Sequence, residues 1–485
     1  MQATPPTNPP STQHKALGIN LAARWYGSFA EIGGGQEVGR WFFKVGGAAG
    51  SVAKTISAYD MAISDGVYGQ AKRYVSRERL QAMLEHEFAQ VSEQLRDKQG
   101  DKRCFFAFAN TVATRGFRSP EHGRGWIGIR FQTQPRAEPS QITLHAHLLD
   151  ASAEREQDAL GVLGVNLIHG AFFLHEKPLD LIATLMDELS RDRVEIDMIK
   201  FSGPAFRSVD NRLMSLELVK QGYTDAAMFT AEGEVVQPSE VLHKKPILVG
   251  RGRFRPITNL TLDILERARD AFLNEPDVER QDPVIITEMS LRNLIHTPEL
   301  DYSDFLARAD TLAVLGFNVM VSRLEHDYET AEYLSSYTDR PIGFAVGMPA
   351  VKLLVREQFY THLAGGVLEG VGRLFKRSVK LYIYPAREPA SGRIETADDV
   401  VLPEPWQHLH RLLRGLGRIE LVRPANEAWL SIEQDDVLSL IERGNELWRS
   451  LVPTNVAQII DSRQLFRPDR RGDVPPVVRT GLALA

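Results

Sequence analysis

Between Pro178 and Tyr384 the apolar residues switch repeatedly between a helical and a strand period, and this alternation restricts the chain to an α/β architecture. Over Pro178 to Ser190, Leu179, Ile182, Leu185, Met186 and Leu189 form one helical stripe, and the strand Val194 to Phe201 follows. Over Ser303 to Val321, Ser303 reads as the N-cap, Leu306, Ala309, Leu312 and Ala313 as the buried stripe, and Gly316 as the stop before the strand Phe317 to Val321. A helix over Asp327 to Tyr337, a strand over Ile342 to Val346, a helix after Pro349 and a strand over Val379 to Tyr384 continue the series. The pattern predicts a predominantly parallel, Rossmann-like open sheet covered by helices. A (β/α) barrel is the alternative, which the irregular unit lengths disfavour.

The N-terminal part reads differently. Strands over Cys104 to Asn110, Trp126 to Gln132 and Gln141 to Leu149 are joined by turn-rich loops and look antiparallel. A charged amphipathic helix, Ser76 to Lys98, precedes them. Before it, Leu17 to Gly69 is rich in Gly, Ala and aromatic residues and shows no clear strand alternation. Trp25, Tyr26, Phe29, Trp41, Phe42 and Phe43 supply more apolar area than one short helix can hide, so the block is expected to dock on another surface and make a homo-oligomer. The expected layout is a flexible lead over 1–16, the docking segment and helix over 17–100, and an α/β core over 101–385. A linker loop over 386–405, a small C-terminal α/β region over 406–466 and a tail over 467–485 complete it.

Composition closes several classes. With 57 Lys+Arg against 63 Asp+Glu and a net charge of -6, no basic excess favours nucleic acid or an anionic membrane. The longest apolar stretch, Val162 to Leu174, contains Asn166 and His169 and is shorter than the ~20 residues of a membrane helix. The start of the chain lacks a secretory signal, and the single cysteine, Cys104, allows no internal disulfide. A cytoplasmic protein is expected.

The glycine block matches neither familiar phosphate loop. Gly33, Gly35 and Gly39 miss the G-x-G-x-x-G spacing, and Lys54-Thr55 is preceded by Ala53 where a Walker loop has glycine. His145 and His147 share one face of a strand, but a third metal ligand from Asp150, His122 or His169 depends on the fold, so no metal is expected. The strand ends carry better chemistry, since ligands of open α/β sheets sit where strands finish. Arg251, Arg253 and Arg255 fall on a glycine-bearing loop after one strand and are expected to bind an anion, with Asp210, Asn211 and Arg323 at other strand ends. Glu288, His326 and Lys200 are the candidate acid, base and assisting groups.

The phrases FAEIGGGQEVGRWFFKVGGAAGSVAKTISAYDM, GWIGIRF, LGVNLIHGAFF, VDNRLMSLELV, TDAAMFTAEGEVVQPSEVL and GRLFKRSVKLYIYP resemble a bacterial family of uncharacterised proteins of similar length. Its members go by inconsistent names, nicotinate-nucleotide adenylyltransferase and TonB-dependent receptor among them. The resemblance runs from about Gly27 to Pro385 and implies no function. The first name calls for a His-x-Gly-His motif near the first strand, which the sequence lacks, and the second for an outer-membrane barrel, contrary to the helix–strand alternation. The expectation is therefore a cytosolic enzyme or binding protein for a small phosphorylated or carboxylated metabolite, with reaction and cofactor unspecified. A self-assembling scaffold using the glycine–aromatic block is the alternative.

Overall fold

In the computed structural model, the described residues are 10–116, 121–278, 282–295, 300–388, 391–400 and 402–467. They form two compact units that meet in sequence at Thr224 and Asp225. The division falls inside the stretch 101–385 expected to be a single core. Of the lead expected over 1–16, residues 1–9 lie outside the described set, as does 468–485 of the tail.

The first unit carries the helices α1 (Thr12–Ala22), α2 (Glu37–Lys44), α3 (Met61–Tyr68), α4 (Arg77–Gln99), α5 (Ala153–Phe173), α6 (Pro178–Thr184) and α7 (Asn211–Lys220). Its strands are β1 (Trp25–Ile32), β2 (Val52–Ile56), β3 (Cys104–Ala113), β4 (Gly123–Phe131), β5 (Ser140–Leu148) and β6 (Val194–Ser202). The sheet order is β2-β1-β3-β4-β5-β6. Strands β3, β4 and β5 are antiparallel, as the sequence suggested; β6, expected to open the parallel series, joins β5 antiparallel instead, whereas β1 pairs parallel to both β2 and β3. The glycine–aromatic block thus supplies an internal strand. All but one residue of β1 is buried, so the strand reads as a continuous run without alternation. Trp25 stacks on Phe172 of α5 at 4.5 Å, and Phe29 and Phe42 meet in the core at 4.9 Å. At Gly33, after β1, φ is +93° and a Cβ would sit 1.8 Å from the Val112 carbonyl oxygen, so the turn out of β1 admits only glycine.

The second unit contains β7 (Ala226–Phe229), β8 (Val235–Val236), α8 (Pro238–Leu242), β9 (Ile247–Arg251), α9 (Asn259–Leu273), β10 (Val284–Ser290), α10 (Leu291–Leu294), α11 (Tyr302–Ala313) and β11 (Asn318–Ser322). It continues with α12 (Asp327–Ser335), β12 (Ile342–Gly347), α13 (Met348–Leu353), α14 (Gly366–Leu374), β13 (Val379–Tyr384) and the ribbon β14 (Ala386–Arg387) and β15 (Ile394–Glu395). It ends with α15 (Glu404–Gly415), β16 (Ile419–Leu421), α16 (Gln434–Glu442) and α17 (Thr454–Arg463). The main sheet runs β16-β13-β12-β9-β10-β11-β7-β8 and is parallel from β16 to β11. Strands β7 and β8 join it antiparallel. Among the described residues both large sheets end in edge strands, so each is open. Alternate residues of four parallel strands, Val249, Ile286, Phe344 and Leu381 among them, pack with Tyr328 and Leu334 of α12 and Val371 of α14 in one buried cluster. The region expected as a separate C-terminal piece belongs to this unit, with β16 extending its sheet. The helix expected to have Ser303 as its N-cap begins at Tyr302 instead, capped by Asp301, whose side chain accepts the backbone N–H of Asp304. Among the described residues, no helix is long and apolar enough to cross a membrane.

Candidate functional site

The C-terminal ends of β9, β10 and β11 bring part of the expected constellation together. Gly250, just before Arg251, leaves room for the Leu265 side chain of α9, whose tip would lie 2.1 Å from a Cβ at that position. Arg251 ends β9 and is paired in register with Glu288 on β10. Its Nε donates to Glu288 at 2.8 Å, one terminal nitrogen donates to Asp327 at 2.8 Å and the other to the Leu324 carbonyl at 2.7 Å. Glu288 also accepts from the Ser322 hydroxyl on β11 and is completely buried. Arg251 is thus a fixed link between two carboxylates and the loop after β11.

That loop carries Arg323 and His326. Arg323 is exposed, and its backbone N–H donates to the Asp225 carbonyl at 2.9 Å. His326 precedes α12, its backbone N–H bound to the Glu329 carboxylate at 3.0 Å. The imidazole stacks on Tyr328 at 5.4 Å and on His362 at 5.2 Å. Burial pushes the phenols of Tyr328 and Tyr360 up to about 12, so both are neutral hydrogen-bonding groups. The Tyr328 hydroxyl lies 2.6 Å from His362 Nε2.

The other two loop arginines diverge. Arg253 pairs with Asp435 of α16 at 3.0 Å, with side chains 42% and 73% exposed. Arg255 donates to Asp304 of α11 at 2.5 Å and lines a small surface pocket with Asp301, Ser303 and Arg467. The C-terminal segment brackets the loop: Gln434 donates to the Pro256 carbonyl at 2.7 Å, and Asn259 to the Leu451 and Ser450 carbonyls at 2.9 and 3.0 Å. Nothing local in sequence announces these partners, since Asp435 stands 182 residues from Arg253.

Lys200, Asp210 and Asn211 belong to the first unit. Lys200 is on β6 opposite Thr143. Asp210 caps α7 and binds Arg212 at 2.7 Å, while the Asn211 amide bridges the N–H and carbonyl of Phe201 at 2.8 and 3.0 Å. The glycine loop after β1 is closed from within. Glu31 accepts the N–H groups of Val38 and Gly39 at the start of α2, at 3.3 and 2.9 Å, and the Asn110 amide at 3.0 Å. The Glu31 carboxyl group of the chain itself occupies the place an anion would take.

Among the described residues, two groups of side chains have metal-competent atoms within 4.8 Å of one another: His326, Glu329 and His362 in the second unit, and His145, His147 and Asp197 in the first.

No protein-family model matches the chain, and no curated protein matches it. Among solved structures, it is similar to the competence/damage-inducible protein CihA from Agrobacterium tumefaciens, with 16% identity over 35% of this chain and 97% of that one, at a TM-score of 0.24. A competence-damaged protein (CinA) superfamily member from Enterobacter cloacae gives 11% identity over 35% and 98%, at 0.24. Plasmodium falciparum nicotinic acid mononucleotide adenylyltransferase gives 14% over 46% and 97%, at 0.27. At identities and scores this low, none of these proteins lends an activity to this chain.

Proposed function

We propose that the second unit binds a small phosphorylated or carboxylated molecule in the crevice outside the C-terminal ends of β9 and β12. The carrying observation is the strand order. From β9 the chain moves through β10 and β11 on one side, then returns to place β12 on the other. Connections diverging in this way open a crevice at the strand ends, where open α/β sheets hold ligands. The loop after β9 borders it and carries Arg253.

Arg253 is the exchangeable cation of the three. Its pair with Asp435 is exposed on both sides, and such pairs contribute about 0–1 kcal/mol. An incoming phosphate or carboxylate can take over the guanidinium at little cost. Arg251 is committed to Glu288 and Asp327 and positions the site rather than touching the ligand. Glu288 is sequestered behind that link, so the reading is one of binding, with no reaction assigned.

Thermal-shift titration of the full chain with inorganic phosphate, nucleoside phosphates, sugar phosphates and dicarboxylates tests it. A ligand at 100 times its Kd stabilises by about 2.7 kcal/mol. Arg253→Ala is expected to abolish the shift, and Asp435→Asn to increase it by removing the internal competitor. Absence of a shift with every compound, or an equal shift in Arg253→Ala, overturns the proposal.

A further inference from the structure

In the first unit, β6 departs from regular pairing with β5 at one point. His145 pairs with Met198 and Ala146 with Ile196, so Asp197 and Met198 together stand opposite His145. An extra residue of this kind is a β-bulge, a device that re-aims a side chain. Here it directs a carboxylate at the imidazoles of His145 and His147, two residues apart on one face of β5.

The three side chains converge. His145 Nδ1 lies 2.7 Å from one carboxylate oxygen of Asp197, and His147 Nε2 lies 3.0 Å from the other. The imidazole centroids are 5.0 Å apart with planes at 83°, so the rings approach the carboxylate from two directions. Trp126 packs on His145 at 5.0 Å. The side chains of His145 and Asp197 are 5% and 1% exposed, whereas that of His147 is 25% exposed and provides the solvent side. Burial opposes ionisation of Asp197, and the two imidazoles outweigh it, holding the carboxyl below its usual range.

The other group lacks this geometry. His326 and His362 lie nearly parallel, with 15° between their planes, so their lone pairs do not meet at one point. Glu329 is occupied by the backbone N–H groups of Glu325 and His326 at 2.7 and 3.0 Å, and His362 Nε2 by Tyr328.

We propose that His145, His147 and Asp197 form a binding site for a divalent transition-metal ion of the zinc class, with an open fourth position beside His147. Two imidazoles and one carboxylate suit zinc or cobalt and disfavour magnesium and calcium, which take oxygen ligands. Tetrahedral ligands at metal–ligand distances of ~2.0–2.1 Å stand about 3.3 Å apart. The two imidazole–carboxylate separations of 2.7 and 3.0 Å therefore open by about half an ångström or less, and all three ligand atoms already lie within 4.8 Å of one another. Binding replaces two N–H···O hydrogen bonds, and each neutral imidazole then carries its proton on the nitrogen facing away from the ion. The carboxylate offsets one of the two positive charges.

Chelator-treated full chain, titrated with Co2+, is expected to take up one equivalent with the intense visible absorption of a tetrahedral site, to release it to Zn2+, and to melt at higher temperature when loaded. His147→Ala and Asp197→Asn are expected to weaken binding at least tenfold, and His362→Ala to leave it unchanged. Should Asp197→Asn fail to fold, His147→Ala carries the test, since that side chain is a quarter exposed. Absence of the absorption band, or stoichiometric binding that survives His147→Ala, overturns the proposal, as does binding lost in His362→Ala and retained in His147→Ala.

Discussion

Glu31 shows how one residue decides what a loop can do. The carboxylate sits at the end of β1, 1% exposed, and fills the N-terminus of α2. Burial raises its carboxyl to about 7, more than the hydrogen bonds from Gly39, Asn110 and Val38 lower it. The folded state therefore holds a proton between pH ~4.5 and 7 that the unfolded state has already released. Stability is highest below that window and declines as pH rises through it, by about 3 kcal/mol from this group alone. Chemical denaturation of Glu31→Gln at pH 5 and pH 8 should lack this component, and an unchanged difference between the two pH values would contradict it. Arg251 and Arg253 separate on the same kind of argument. Arg251→Ala leaves Glu288 buried and unpaired and should cost about 3–5 kcal/mol, whereas Arg253→Ala should stay within ~0.5 kcal/mol. Sequence reading identified both as loop arginines, but their partners come from distant helices, so the difference between a fixed and an exchangeable cation was invisible.

At the scale of elements, legibility followed how each segment is buried. Strand β13 spans the residues expected from its pattern, Val379 to Tyr384, and α4 differs from its expected span by one residue at each end. Both are bounded by clear changes of period. By contrast, β1 was hidden inside the glycine–aromatic block, because a strand buried on both faces gives no alternation to detect. The bulge in β6 was equally hidden. It depends on pairing with β5, and no local signal places Asp197 against His145 and His147 across some 50 residues. Caps illustrate the limit of a pattern based on residue type alone. Ser303 has the right chemistry, yet Asp301 receives the Asp304 N–H and the helix starts earlier. Urea titrations should therefore show Asp301→Ala less stable by about 1 kcal/mol and Ser303→Ala within ~0.5 kcal/mol of the parent. The reverse order would show that Ser303 caps the helix after all.

At the scale of the whole molecule, the two sheets explain why one alternation rule served only part of the chain. The parallel sheet of the second unit needs long crossovers, so helices and strands alternate and the class is legible. The first unit mixes an antiparallel run with two parallel pairings, and its boundary at Thr224 and Asp225 carries no linker-like composition. The block over 17–69 now has two parts to its apolar content. Trp25, Phe29 and Phe42 serve the internal core, whereas Leu21, Phe43, Tyr59, Met61 and Ile63 remain between 55% and 76% exposed. We propose that the homo-oligomer expected through residues 17–69 forms over these five residues, since exposed large apolar side chains favour association. Light scattering coupled to size exclusion should then give more than the 54.4 kDa of one chain. Replacing Phe43 and Tyr59 by Glu, two positions outside the internal core, should return the mass to that of a single chain while the far-ultraviolet circular dichroism stays unchanged. A single-chain mass for the unaltered protein across micromolar concentrations would remove self-association and leave the five side chains as ordinary exposed surface.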